Sequence, residues 1–229
     1  MVIICKRSFL MVMTIGFLFQ LHGQNPKDLL FSSVIEKNIK AFNRKSEQAF
    51  LNNDMERVSF LFDSLVNHVV KGSQLDNFTF QRLNKRKVEL DQFRKPLFIL
   101  TYSSWYPINP GEIRAINDLG RKFSKEIDFL VIFWDPPGQA KKASAGIKRP
   151  IQVLYADEKQ NVHDHVISSM KHSFGVPTLF ITDENRRVLT IGRIPAFYYN
   201  EDSEVIYQTK TEYFYRYINK IQENASPLD

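Results

Sequence analysis

Three histidines and one aspartate that lie close together in the sequence have side chains of the types that bind metal ions. His163, Asp164 and His165 are consecutive, and His172 follows in the same predicted helix. Residues two apart on a helix point about 200° from each other, so His163 and His165 cannot both face one ion. His165 and His172 share a helix face, but the sequence offers no third zinc ligand beside them. This spacing favours surface histidines and predicts no metal site.

Two serines and one cysteine could provide a nucleophile. Ser103 and Ser104 lie just before a predicted helix, but neither belongs to a nucleophile-elbow motif and neither has a recognisable base in the sequence. Cys5 is the only cysteine of the 229 residues, and it lies in the N-terminal leader described below. We therefore expect no catalytic residue of the serine or cysteine type once the leader is removed.

The serines belong to a strand–loop–helix segment that runs from Arg94 to Gly111. Leu97–Tyr102 begins with four apolar residues in a row, which predicts a strand that is covered on both faces. Asn109 can cap the helix that follows, Pro110 suits its first position, and Glu112 can complete a capping box. In α/β proteins, the loop between such a strand and the N-terminus of its helix is a frequent place for chemistry.

This segment resembles the active-site segment of thioredoxin-fold proteins, specifically the TlpA-like and redoxin family of extracytoplasmic thiol–disulfide oxidoreductases. In that family, an apolar strand leads into Ala-Ser-Trp-Cys-x-x-Cys and then into a helix. Here Trp105 matches the tryptophan, Tyr106 stands where the first cysteine would be, and Asn109 stands where the second would be. Dithiol exchange needs one thiolate to attack and a second thiol to resolve the mixed disulfide. The resemblance therefore implies the fold of this family without its dithiol chemistry.

Two further segments support the resemblance. Phe78–Phe80 and Val88–Leu90 predict a β-hairpin ahead of the tryptophan motif, as in the family. Val176-Pro177-Thr178 resembles the loop whose cis-proline faces the redox motif, which implies a cis peptide bond before Pro177. The resemblance extends from about Phe78 to Ile221.

The order of the predicted elements indicates an α/β fold, with a thioredoxin-like mixed sheet flanked by helices and an N-terminal helical hairpin. Two apolar-striped segments on either side of Asn52–Asp54 predict the hairpin, with Glu56 placed for a capping box on Asn53. The sequence does not say what the hairpin packs against. The predicted division is a signal peptide over residues 1–24, the helical hairpin over 25–72 and the thioredoxin-like domain over 73–229. The predicted strands after the first hairpin are Leu97–Tyr102, Ile127–Trp134, Ile151–Ala156, Leu179–Ile181 and Arg187–Ile191, and the later helices lie at about 161–173 and 203–221.

The first 24 residues resemble a secretory signal, because Lys6 and Arg7 precede an apolar run from Phe9 to Leu21. We expect the chain to be periplasmic or extracellular, and a leader that is not cleaved would retain it at the membrane. The formal net charge of the whole chain is +6, and the basic residues are spread along it. No stretch combines clustered basic and aromatic residues, so we expect no nucleic-acid partner.

A redox-inactive module that binds a peptide or protein partner is the function that these observations favour. In the family, backbone beside the cis-proline pairs with an extended substrate segment. Trp105, Tyr106, Pro107, Val176 and Pro177 are the candidate peptide-binding residues, and no cofactor is expected. An alternative is a thiol–disulfide oxidoreductase-family protein that acts with a partner's cysteines in extracytoplasmic redox homeostasis. A third is a structural subunit that docks through the helical hairpin.

Overall fold

The computed structural model describes residues 29–160, 164–197 and 200–225, so the predicted leader, Val162 and His163 lie outside the described residues. The helices are α1 (Phe31–Leu51), α2 (Met55–Leu65), α3 (Pro110–Phe123), α4 (Pro137–Ala143), α5 (Asp164–Val166) and α6 (Ser203–Ala225). Helices α2 and α5 continue as π-helical turns over Val66–Val70 and Ile167–His172, and Leu90–Gln92 forms a 3-10 helix. The strands are β1 (Thr79–Arg82), β2 (Lys87–Glu89), β3 (Leu97–Tyr102), β4 (Asp128–Phe133), β5 (Gln152–Tyr155), β6 (Thr178–Thr182) and β7 (Val188–Arg193).

Across the described ranges, no helix has both the length and the hydropathy that a membrane span requires.

The strands of the described chain form one mixed sheet in the order β2-β1-β5-β4-β3-β6-β7. Strands β3, β4 and β5 are parallel, whereas β6 pairs antiparallel with β3 and β7 pairs antiparallel with β6. The β1–β2 hairpin joins the sheet through an antiparallel pairing of β1 with β5. This arrangement confirms the predicted α/β fold with a mixed sheet, a first hairpin and a final antiparallel pair.

The central strand β3 is buried along its whole length because apolar layers cover both faces of the sheet. Its alternate residues divide between the layers: Leu97 and Ile99 contact one apolar cluster, and Phe98 and Leu100 contact the other. The first cluster lies beneath α1, α2 and α5, and the second lies beneath α3, α4 and α6. A strand enclosed in this way favours a continuous apolar run, which Leu97–Leu100 provides, and the hydroxyl of the buried Thr101 donates to the Thr178 carbonyl oxygen.

The N-terminal helical hairpin packs on the sheet of the same chain, which answers a question that the sequence left open. Phe31 and Phe62 are buried in the apolar cluster on that face. At the start of α1, the buried carboxylate of Asp76 accepts hydrogen bonds from the Ser32 backbone N–H at 2.9 Å and from the Ser32 hydroxyl at 2.6 Å. Apolar burial and this polar clamp together fix the first helix to the chain just before β1.

The turn between α1 and α2 differs in detail from the prediction. Asn53 has a positive φ of 56°, and the N-cap of α2 is Asp54, whose side chain accepts a hydrogen bond from the Arg57 backbone N–H at 2.8 Å. The capping box expected on Asn53 is therefore wrong. Because asparagine tolerates the left-handed conformation better than most residues, Asn53 takes the turn position and Asp54 takes the cap.

Candidate functional site

The loop between β3 and α3, residues 103–109, is called the aromatic loop below. A turn closes it, in which the Tyr106 backbone N–H donates to the Ser103 carbonyl oxygen at 2.9 Å. Asp135, which directly follows the neighbouring strand β4, accepts hydrogen bonds from the Ser104 N–H at 2.7 Å and from the Ser104 hydroxyl at 2.6 Å. The carboxyl ends of two adjacent parallel strands therefore hold this loop in place.

Asn109 caps α3 as predicted, but Glu112 does not complete a capping box. The Asn109 side-chain oxygen accepts a hydrogen bond from the Gly111 N–H at 2.8 Å, and Pro110 occupies the first helical turn. Glu112 is 1% exposed, and its carboxylate accepts a hydrogen bond from the Tyr102 hydroxyl at 2.6 Å. The capping-box prediction for Glu112 is wrong because this side chain faces the packed layer between α3 and α6.

A buried ion pair lies beneath the aromatic loop. The Lys210 ammonium lies 3.1 Å from the Glu112 carboxylate, and neither side chain is more than 2% exposed. Burial lowers the pKa of Lys210, and the attraction of Glu112 opposes that shift. Burial and the neighbouring Glu112 carboxylate both raise the pKa of Tyr102 well above its usual value. Such a pair is favourable only if its remaining polar atoms have partners. Here Tyr102 supplies one, and the Pro195 carbonyl oxygen, 2.6 Å from Lys210 Nζ, supplies another.

The segment that leaves β7, residues 194–197, contacts one of the two positions at which the resemblance would place cysteines. The Tyr106 phenol has a hydrogen bond with the Phe197 backbone, which slightly opposes the rise of its pKa to about 12 caused by burial and by Glu112. Asn109, at the second position, donates from its side-chain nitrogen to the Glu201 carbonyl oxygen at 3.4 Å. Both side chains therefore form hydrogen bonds with the backbone that leads from β7 to α6.

Val176 and Pro177 lie beside the aromatic loop at the carboxyl end of β3. The Val176–Pro177 peptide bond is cis, as the resemblance implied. Thr178, the next residue, pairs with Thr101 of β3, and the Thr101 hydroxyl donates to its carbonyl oxygen at 3.2 Å. Both Val176 and Pro177 are partly exposed, and the Val176 N–H and C=O form no hydrogen bond with any described residue. A free amide and carbonyl at a partly exposed position can pair with an extended segment of another chain.

Aromatic rings form the outer surface of the loop. Trp105 is 68% exposed, and its ring packs edge-to-face against Tyr106 with centroids 6.4 Å apart. Tyr106 in turn packs on the buried Tyr102 ring at 5.9 Å. Tyr106 thus connects the core to the surface, whereas Trp105 exposes about two thirds of its surface to solvent and lies outside the core.

A groove of about 560 Å³ opens between the aromatic loop and α4. It is called the α4 groove below. Tyr106, Pro107 and Ile108 form its wall on the loop side, and Gln139, Lys142 and Ala143 form its wall on the α4 side; Ser104, Pro110, Ile113 and Ala145 complete the lining. Of the candidate peptide-binding residues, Tyr106 and Pro107 line this groove, whereas Trp105 and the two residues directly before β6, Val176 and Pro177, do not.

Of the three histidines considered as metal ligands, the structure describes His165 and His172, and it describes both serines before α3. His165 Nε2 lies 3.6 Å from Asp76, and His172 Nε2 lies 2.9 Å from Glu158, so each histidine has a carboxylate neighbour of its own. No group of three or more metal-ligating side chains occurs within the described residues. The Ser103 hydroxyl is buried and has no hydrogen-bond partner among them, so no base is in reach to activate it.

Sequence reasoning missed two residues that organise the site, Lys210 and Asp135. The signal for Lys210 was present: it lies four residues after Ile206 and four before Phe214, on the apolar stripe of α6. Glu112 similarly lies four residues before Ile116 on the apolar stripe of α3. Opposite charges on the inward faces of two helices could have indicated a buried pair. Asp135 had no comparable signal, because only the parallel pairing of β3 and β4 brings it to Ser104.

Comparison with known proteins agrees with this geometry. The model of the AhpC/TSA family matches residues 71–191, more than half of the chain. A candidate protein disulfide isomerase from Bacteroides thetaiotaomicron has a similar solved structure, with a TM-score of 0.50, 16% identity and coverage of 66% of this chain and 89% of that one. The thioredoxin domain of a thiol-disulfide oxidoreductase from Bacteroides vulgatus gives a TM-score of 0.48 and 17% identity over 63% of this chain and 98% of that domain. At these identities the likeness concerns the fold. No curated protein matches the sequence.

Proposed function

The chain belongs to the AhpC/TSA family and has a thioredoxin-like fold, and from this premise we propose that it is a redox-inactive, secreted module that binds an extended segment of a peptide or protein. The observation that carries the proposal is the absence of a thiol from residues 25–229. After the predicted leader, the sequence contains no cysteine, and Tyr106 and Asn109 stand at the two positions where the resembled family has its thiols. A phenol and an amide can neither attack a disulfide nor form one.

The remaining surface suits binding. The free Val176 amide and carbonyl can extend the sheet with one strand of a partner, because strand addition needs only unpaired backbone groups and space beside them. Trp105 offers a large aromatic surface next to this edge. The buried Glu112–Lys210 pair supports the loop from below, so the rings can remain in place without a ligand.

Binding and redox activity are separated by two measurements on a chain that begins at Asn25. In an insulin-reduction assay with dithiothreitol, we expect the rate of a no-protein control. In a screen of a random peptide library, we expect enriched peptides whose binding is lost in Tyr106→Ala. Tyr215→Ala is the matched control, because Tyr215 is a partly buried tyrosine on α6 that does not line the α4 groove.

Insulin turnover above the control would contradict the proposal and favour the oxidoreductase alternative. Enriched peptides that bind Tyr106→Ala as well as the unchanged protein would contradict the assignment of this surface. Circular dichroism of each variant checks that the fold is intact before binding is compared.

A further inference from the structure

The wall of the α4 groove continues into a strongly basic part of the surface. Residues 136–156, which include α4 and lead into β5, contain four basic residues and no acidic residue. Residues 79–88, which form β1 and its turn, also contain four basic residues and no acidic residue. These eight residues are called the basic face below: Arg82, Lys85, Arg86, Lys87, Lys141, Lys142, Lys148 and Arg149.

The tertiary structure brings the two stretches together. Strand β1 pairs antiparallel with β5, with Arg82 opposite Leu154. Arg82 and Arg149 consequently line one shallow pocket, and Ile147 lies in its wall. At the other end of the same loop, Ala145 and Lys142 line the α4 groove. The basic face therefore extends from the aromatic loop, along the α4–β5 connection, to the β1–β2 turn.

The charges of the basic face are available to a ligand. None of its eight side chains forms an ion pair or a cation–π contact with any described residue, and seven of the eight residues are exposed, Arg82 being partly exposed. By contrast, Lys95, Arg114 and Arg121 each have a carboxylate within 4 Å. Asp135, which contacts the groove-lining Ser104, already accepts two hydrogen bonds from that residue. Clustered like charges without counter-charges raise the local concentration of oppositely charged ligands.

We propose that the α4 groove and the basic face form one binding surface for an acidic polypeptide segment of a partner protein. An apolar side chain of the segment occupies the groove against Tyr106 and Ile108, and carboxylates flanking it lie against Lys142 and the following cations. This inference rests on the proposed binding function and adds the chemistry of the ligand. A nucleic acid fits less well, because no exposed aromatic ring lies among the eight cations to stack on bases. An anionic membrane fits less well too, because the large exposed apolar side chains of the described residues lie outside the two basic stretches.

The test uses the full-length chain and three fluorescein-labelled peptide pools. Every pool has one central Leu or Phe, and the flanking positions hold Glu, Gln or Lys. By fluorescence anisotropy at low salt, we expect the Glu pool to bind about tenfold more tightly than the Gln pool, and the Lys pool to bind most weakly. Raising the salt concentration to about 0.5 M should remove most of the difference, because exposed charges are screened.

Charge-reversal variants locate the surface. Lys142→Glu should weaken binding of the Glu pool by about fivefold, which is the upper range for one exposed ion pair, and change binding of the Gln pool by less than about twofold. Lys220→Glu is the matched control, since Lys220 is an exposed lysine on α6 outside the basic face. It should leave all three pools unchanged.

The failure of this inference and the failure of the proposed function have different signatures. Equal affinity for the Glu and Gln pools, with binding still lost in Tyr106→Ala, would overturn the acidic ligand and leave the binding module in place. The absence of Tyr106-dependent binding by any pool would overturn both. Tighter binding of a single-stranded oligonucleotide or of phosphatidylglycerol vesicles than of the Glu pool would overturn the choice of a polypeptide.

Discussion

Replacing Lys210 by methionine tests the buried ion pair beneath the aromatic loop. Methionine keeps most of the length and volume of the lysine chain and removes only its charge and its donors. The change removes the ammonium group 3.1 Å from Glu112 and its hydrogen bond to the Pro195 carbonyl oxygen. Glu112, 1% exposed, then retains only the hydrogen bond from Tyr102.

The expected cost follows from this geometry. Breaking a buried pair by removing one partner usually costs about 3–5 kcal/mol, because it leaves an uncompensated charge in the interior. The added apolar burial of methionine offsets part of that loss, so we expect Lys210→Met to lower the free energy of unfolding at pH 7 by about 3 kcal/mol. The double variant Glu112→Gln with Lys210→Met removes both charges and should recover more than half of this loss.

Urea unfolding at pH 7 and pH 5, followed by tryptophan fluorescence and circular dichroism, measures these changes. The lone carboxylate of Lys210→Met is relieved by protonation, so this variant should gain stability relative to the unchanged protein as the pH falls. Lys220→Met is the control, because Lys220 is exposed on the same helix and should cost less than about 0.5 kcal/mol. A loss below about 1 kcal/mol for Lys210→Met, or a double variant as unstable as the single one, would refute the reasoning.

Three further predictions concern the aromatic loop and the helix after it. In a chain without the leader, the double variant Tyr106→Cys with Asn109→Cys should form a disulfide and catalyse insulin reduction, whereas each single variant should not. A double variant without turnover would contradict the view that the loop keeps the geometry of a dithiol active site. Gly111→Ala should lower stability by about 2–3 kcal/mol in urea unfolding, because its Cβ would lie 2.0 Å from the Ser203 carbonyl oxygen, while Gly138→Ala, with no atom within 4 Å of its Cβ, should be neutral or stabilising. Burial raises the pKa of Tyr106 to about 12, so the neutral phenol stabilises the fold below pH 10 and this stability is lost as the pH rises through 12. Between pH 10 and 12, the free energy of unfolding of Tyr106→Phe should therefore fall by about 1 kcal/mol less than that of the unchanged protein. Equal decreases for the two proteins would contradict the shift.

Much of the fold follows from local pattern. The apolar run Leu97–Leu100 predicted β3, Leu97–Tyr102, with its observed bounds, because both faces of a strand between two layers are buried. The cap at Asn109 was also readable, since it depends on the chemistry of one residue. The wrong predictions concern Asn53 and Glu112. The N-cap of α2 is Asp54, the neighbour of Asn53, and the Glu112 side chain contacts Lys210 and Tyr102 instead of the backbone at the start of α3.

The sequence alone determines that residues 25–229 contain no cysteine, because that statement depends only on which side chains are present. It also indicated the strand–loop–helix frame, because apolar runs and capping residues act within a few positions of each other, whereas the Val176–Pro177 step was implied by the family resemblance. Only the tertiary structure decided that Glu112 meets Lys210, that Asp135 holds Ser104, and that two separate basic stretches form one face. These contacts join residues 31 to 98 positions apart or depend on strand pairing, so the helical pattern can mark Glu112 and Lys210 as inward-facing but cannot show which residues meet. Packing of distant elements brings these residues together. Burial of the Glu112–Lys210 pair then affects stability, and clustering of the basic residues affects which ligands the surface attracts.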